Sequence, residues 1–240
     1  KNNSLIMTER YGASHARNLG IKLSHGPIVI IIDQDVIVDS NILNVYNNDF
    51  KDESIDIIQG NIWGQISKNK IASIHSKWRK SAFLDKARLY DGLLTTLITR
   101  NVALRKSFLE KYYFKDNCYF DERMSSTGGE DREFGNRLYR LGAKIILDED
   151  AIVYHKDPTD LLNILKQKFR HARGDAKMGI SEGPFDFINF KRVVINPLKK
   201  GVPLYFTLLV WVFHICGSEY GKLLTRLNRI FTGNHCPRSL

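Results

Sequence analysis

Cysteine is scarce in this chain. The three present, Cys118, Cys216 and Cys236, are odd in number and show no Cys-x-x-Cys spacing. Neither a zinc site nor a disulfide framework is therefore indicated, and a reducing compartment is the expectation. Long apolar runs are missing as well. The most hydrophobic stretch, Val202 to Cys216, is short of the ~20 residues a comfortable transmembrane helix needs. Internal repeats and low-complexity tracts are absent. So are a zinc-finger spacing and an aromatic RNA-binding motif, which weighs against nucleic acid as a partner. Lys1 is not followed by the charged, apolar and small-residue order of a signal peptide, and the chain reads as a fragment.

What is there suits a folded enzyme-sized core. With 240 residues and 43% hydrophobic side chains, one domain with an appendage is the simplest expectation. The net charge of +10 is unevenly spread. Residues 166–240 hold thirteen Lys and Arg against four Asp and Glu, so residues 1–165 are nearly neutral. Charge alone leaves nucleic acid, anionic lipid and phosphorylated substrates open as partners of that basic tail.

Periodicity predicts a helix from Thr8 to Ser24, stopped at Gly26-Pro27. A continuous β-branched run, Ile28 to Ile32, follows and ends at Asp33. Such a run is expected of a strand buried on both faces, as in a parallel sheet. Asp39-Ser40 offers an N-cap for a helix to about Phe50, Ile55 to Trp63 reads as a strand, and residues 66–91 as partly helical. Strand character from Leu93 to Leu104 leads to a short helix near Ser107 to Tyr112 and a polar loop. Glu130-Asp131 then opens a helix, two short strands follow at Ala143 to Leu147 and Ala151 to Tyr154, and Asp160 to Lys177 is a basic amphipathic helix. The order is α/β. Lys199-Lys200 before the apolar run, and Lys222, Arg226 and Arg229 after it, suit a helix lying in an anionic membrane surface. A buried core or dimer helix fits the same run.

Two acidic signatures carry the chemistry. Asp33-Gln34-Asp35 stands at the C-terminal end of a strand, where open α/β sheets bind ligands. Mg2+ or Mn2+ commonly binds through one or two carboxylates plus substrate phosphate oxygens, so a sparse ligand set suffices. Acids that merely end a strand at the surface fit equally well. Gly128-Gly129-Glu130-Asp131 puts acids on the first turn of a helix, behind glycines that allow close backbone approach. There a carboxylate is favoured in its ionised form and could accept a proton from an attacking hydroxyl; ordinary helix capping explains the same pattern.

The stretches GASHARNLGIKLSHGPIVIIIDQD and GGEDREFGNRLYRLGAKIILDEDAIVYH together resemble the family 2 glycosyltransferases of the GT-A fold. The second is similar to the variant found in chondroitin and hyaluronan polymerases and in β-1,4-galactosyltransferases. A Gly-x-x-x-Ala-Arg-Asn-x-Gly helix precedes the Asp-x-Asp strand, matched by Gly12, Ala16, Arg17, Asn18 and Gly20. The resemblance implies a Rossmann-like nucleotide-diphospho-sugar transferase fold over residues 1–180, lacking its N-terminal strands, with a basic, apolar helical region over 181–240. It implies an inverting transfer from a nucleoside-diphosphate sugar, a UDP-sugar in the first instance, to a glycan, lipid-linked or small-molecule acceptor. Asp35 would bind the cation with His155, Asp33 would contact the ribose or the cation's water shell, and Arg17 would lie near the nucleotide. Asp131 would be the base, with Glu130 and Gly129 at the acceptor. Gln167-Lys168-Phe169-Arg170-His171 resembles the Gln-x-x-Arg-Trp motif of processive synthases, but with His171 in place of Trp. The setting expected is the cytoplasmic face of a membrane. A nucleotidyltransferase of similar fold and a non-catalytic basic binding module are the alternatives.

Overall fold

The computed structural model of the protein describes residues 12–64, 68–83, 89–90, 93–94, 97–111, 119–124, 129–156, 158–177 and 190–232. The expected start of the first helix at 8–11, the turn-formers 125–127 and Gly128 lie outside them. The chain divides into two compact units.

The first unit comprises described residues within 1–62, 87–126 and 130–155 and holds a five-stranded sheet. In spatial order its strands are β1 (Ile28–Ile32), β6 (Asn101–Arg105), β3 (Ile57–Gly64), β7 (Ile145–His155) and β2 (Val36–Val38); β4 (Leu89–Tyr90) and β5 (Leu93–Leu94) form a separate ribbon. Successive strand side chains face opposite ways, and the cores divide on that alternation. Ile57, Val102, Leu104 and Ile145 pack with Ile21 of α1 (Ala13–Leu23), Leu109 of α4 (Lys106–Lys111) and Phe134 and Leu138 of α5 (Glu130–Arg140). Their neighbours Ile58 and Ala103, with Ala151 and Val153, pack against Ile42 and Tyr46 of α2 (Ile42–Asp49). Helices α1 and α5 therefore share one face of the sheet. The expected α/β class is what forms.

Three expectations are corrected. The isoleucine run of β1 does pack on both faces, Val29 and Ile31 on one and Ile28 and Ile30 on the other. Its pairing with β6 is antiparallel, however, and among the described residues β1 takes an end position in the sheet. Strand character between Leu93 and Leu104 is interrupted, because the Gln59 side chain takes over the backbone of Ile98: it accepts that N–H at 2.7 Å and donates to that carbonyl at 3.2 Å. The two short strands expected after Gly142 are one, β7. Within it the Asp148 carboxylate accepts the amides of Asp150 and Ala151.

Asn101, fully buried in β6, ties the sheet together. Its amide donates to Asn61 and Ala151 carbonyls at 3.1 and 2.8 Å and accepts the Tyr46 hydroxyl at 2.6 Å. A Cβ added at Gly60 would overlap that amide and lie 2.5 Å from the Tyr46 hydroxyl. Gly60→Ala is expected to cost about 1–3 kcal/mol, read as a fall in Tm. Gly20→Ala is the control: nothing lies within 4 Å of its added Cβ in α1, so helix propensity should raise Tm slightly. Equal melting of both variants would show that Gly60 is not packed this way.

The second unit comprises described residues within 63–86, 127–129 and 156–240. It contains α3 (Lys70–Phe83), α6 (Leu161–Lys177), a π-helical turn Lys191–Ile195, α7 (Asn196–Lys199) and α8 (Leu204–Thr232). Trp78, Ile164, Leu165, Val193, Val202, Phe206 and Val210 form its core, and the Trp78 indole N–H donates to the Val193 carbonyl at 3.0 Å. The apolar run thus splits between two faces of one long helix. Phe206 and Val210 are buried, whereas Leu204, Tyr205, Leu208, Leu209 and Val212 are exposed. Gly217 and Gly221, one turn apart, let α8 ride directly on α6: an added Cβ would meet the Arg173 carbonyl at 2.5 Å from Gly221, and would overlap the Phe169 carbonyl from Gly217. Among the described residues no helix is long and apolar enough to cross a membrane.

Candidate active site

Strand register brings the first acidic signature to His155. Strands β2 and β7 pair antiparallel with Val36 opposite His155. Asp35, one residue before, therefore meets the end of β7, and its Oδ2 lies 3.3 Å from His155 Nε2. The imidazole is buried (5% exposed) and the carboxylate open (54%). These two residues, far apart in sequence and expected together as cation ligands, are adjacent. A carboxylate and an imidazole are a donor set that Mn2+ accepts and Mg2+ takes less readily. Among the described residues no group of three or more His, Cys, Asp or Glu is placed to hold a metal. A cation there would complete its shell with phosphate and water oxygens.

The second signature joins the first through Arg17. From α1, Arg17 Nη1 donates to Glu130 Oε1 at 2.8 Å, and Nη2 reaches Asp33 Oδ1 at 3.3 Å. Its guanidinium also lies 5.6 Å from the Phe120 ring centroid, and Phe120 stacks on Phe134 of α5 at 4.0 Å. Packing of α1 and α5 on one sheet face is what allows this. The family resemblance implies Arg17 near a nucleotide; the geometry makes it a bridge between the two carboxylate groups.

Asp131 follows Glu130 on the first turn of α5, and its Oδ1 accepts the Arg132 amide at 2.8 Å. Burial, reinforced by the charge of Glu130, pushes its carboxyl above the usual carboxylate range. The expected preference of a helix N-terminus for the ionised form is thus outweighed by desolvation. A base with a raised pKa is the better proton acceptor near neutral pH. Gly129, just before, has φ of 92°, a left-handed conformation that glycine adopts without strain. A Cβ there would also come 3.1 Å from Asp175 Oδ1.

Sequence reasoning assigned no role to Asn18, Phe120 or Arg100. Asn18, buried in α1, accepts the amides of Tyr119 and Phe120 at 3.0 and 2.7 Å and donates to the Phe120 carbonyl at 2.9 Å. It also donates to Glu122, whose carboxyl is held below its ordinary value by this bond and by His15. The signal was available: in Ala16-Arg17-Asn18, the arginine reaches the acids while the asparagine fastens the segment leading to them. Arg100 had no such signal. Its Nε stands 3.5 Å from Asp33 Oδ2.

The sequence from 28 to 229 matches a family profile described as glycosyl transferase family group 2. A chondroitin synthase of Escherichia coli is 36% identical over 106 residues, 43% of this chain and 14% of that protein. A hyaluronan synthase of Pasteurella multocida is 26% identical over 180 residues, 62% of this chain and 18% of that one. The chain thus spans under a fifth of the length of these relatives. Among solved structures, a mannosyltransferase of Pyrobaculum calidifontis in complex with GDP-Man and Mn2+ gives a TM-score of 0.48 at 13% identity, over 96% of this chain and 62% of that chain.

Proposed function

The chain belongs to glycosyl transferase family group 2, and from that premise we propose that it moves a sugar, with inversion, from a nucleoside-diphosphate sugar to an acceptor hydroxyl of a growing glycan. The observation that carries the reading is the Arg17 bridge, which gathers Asp33 and Glu130-Asp131 beside the Asp35–His155 pair. Asp35 and His155 would hold a divalent cation, which when bound offsets the charge of the departing diphosphate. Asp131 takes the proton of the acceptor hydroxyl as its oxygen attacks the anomeric carbon, and the bond from that carbon to the diphosphate oxygen breaks on the opposite side. Glu130, held by Arg17, is placed to accept hydrogen bonds from the acceptor. A UDP-sugar is the donor we favour, by resemblance to polymerases of this kind.

The test is product analysis across a panel of nucleotide sugars with Mg2+ or Mn2+. A free nucleoside diphosphate and an anomerically inverted glycoside are expected. Supplied instead with a nucleoside triphosphate and a sugar 1-phosphate, release of pyrophosphate with formation of a sugar nucleotide would replace this reading by nucleotidyl transfer.

We place the enzyme at an anionic membrane surface, on the cytoplasmic side. Support comes from the exposed Leu204, Tyr205, Leu208, Leu209 and Val212 of α8 beside Lys199, Lys200, Lys222 and Arg226: apolar area and basic charge together are what interfacial helices use. Sedimentation with phosphatidylserine-containing vesicles, weakened by Leu208→Glu with Val212→Glu, is the expected result. Equal sedimentation of wild type with neutral and anionic vesicles, or none, would refute it.

A further inference from the structure

Neither acidic signature includes Arg100, yet the sheet delivers it to the same spot. Ile32 pairs with Asn101 across β1 and β6, so the next step of that register sets Asp33 opposite Arg100. The Asp33 amide donates to the Arg100 carbonyl at 3.4 Å, continuing the ladder. Directly opposed residues of an antiparallel pair present their side chains on the same face. Arg100 Nε accordingly lies 3.5 Å from Asp33 Oδ2, with the two side chains 22% and 28% exposed.

The two guanidiniums at Asp33 are held differently. Arg17 is committed: it binds Glu130 at 2.8 Å, the length of a charge-assisted hydrogen bond, and reaches the other oxygen of Asp33. Arg100 makes one long ion pair, beyond ordinary hydrogen-bond length and partly exposed. A guanidinium presents five donors in a planar fork suited to phosphate oxygens, and the pair with Asp33 engages little of that capacity. Charge points the same way. Asp33, Asp35 and Glu130 crowd the end of β1, and a diphosphate brought among them needs positive charge beyond what one divalent cation supplies.

We propose that Arg100 is a diphosphate-binding residue of this site, exchanging Asp33 Oδ2 for a phosphoryl oxygen of the donor when the donor enters. This rests on the nucleoside-diphosphate-sugar reading above. The exchange frees one oxygen of Asp33, which is otherwise held on both sides by arginine. Arg100 thus contacts the leaving group directly.

Calorimetry with the full chain separates this from a merely structural pair. Inorganic pyrophosphate and UDP, each with Mn2+, are the probes, applied to wild type, Arg100→Ala, Asp33→Asn and the double variant, with circular dichroism as the check on folding. Arg100→Ala is expected to weaken both probes about tenfold, and by the same factor in the Asp33→Asn background. Arg100→Lys should recover part of the loss, as a point charge without the fork. If Arg100→Ala changes nothing, or weakens binding only while Asp33 is present, Arg100 acts through the carboxylate and the proposal is overturned. Wild type that binds neither probe would overturn the donor reading itself, and this proposal with it.

Discussion

Asp131→Asn is expected to lower sugar transfer by about 10²–10⁴-fold, the usual contribution of a general base, while donor binding stays unchanged. Amide and carboxylate are nearly isosteric, and the bond to the Arg132 amide needs only an oxygen, so α5 should keep its start. The pH profile follows from the same residue. Its carboxyl is raised by burial and by Glu130, and only the ionised form accepts a proton. Transfer should therefore fall as the solution is acidified through a pH above the ordinary carboxylate range, and Glu130→Gln should move that limb toward lower pH, since it removes the raising charge. In stability the sign is opposite. The folded chain binds this proton more tightly than the unfolded one, so the contribution of Asp131 to stability is greatest at low pH and declines as pH rises through its folded pKa. An acid limb that stays put in Glu130→Gln would show that another group is being read.

Asp35→Ala should act at the other end of the reaction. Loss of metal-dependent donor affinity by about tenfold or more, ~1.4 kcal/mol, is expected in a titration of UDP with and without Mn2+. The metal-independent remainder should persist, and His155→Ala should reproduce the effect, because the two side chains are 3.3 Å apart. Burial of His155 against an open Asp35 suggests a division of labour, the imidazole fixed by its surroundings and the carboxylate able to adjust. Identical metal dependence in wild type and Asp35→Ala would remove the pair from the cation site. Equal loss of donor binding in Asp35→Ala and Asp131→Asn would instead erase the separation of roles.

Much of this was legible because it is local. The helix opened by Glu130-Asp131, the strand that ends at Asp33 and the strand that ends at His155 follow from periodicity and from the residues that start and stop elements. Pairing was not legible. An isoleucine run signals burial on two faces whether its neighbour runs parallel or antiparallel, and only the second brings Arg100 opposite Asp33. Nor could spacing reveal that Gln59 would satisfy the backbone of Ile98 outside the strand ladder, since side-chain substitution for a ladder bond depends on a partner 39 residues away. The apolar run of α8 defeated a single reading for a different reason. Half of it is core and half is surface, and Gly217 and Gly221, which seat the helix on α6, lie beyond the run itself.

One guanidinium between two carboxylates has a thermodynamic corollary. Arg17 holds Glu130 and Asp33 at once, so any ligand that alters its hold on one alters what remains for the other. Linkage is reciprocal: if donor arrival tightens the acceptor side by some factor, acceptor must tighten donor by the same factor. Breaking the bridge with Arg17→Met should make the two substrates bind independently, and an order of addition seen in wild-type kinetics should then give way to a random one.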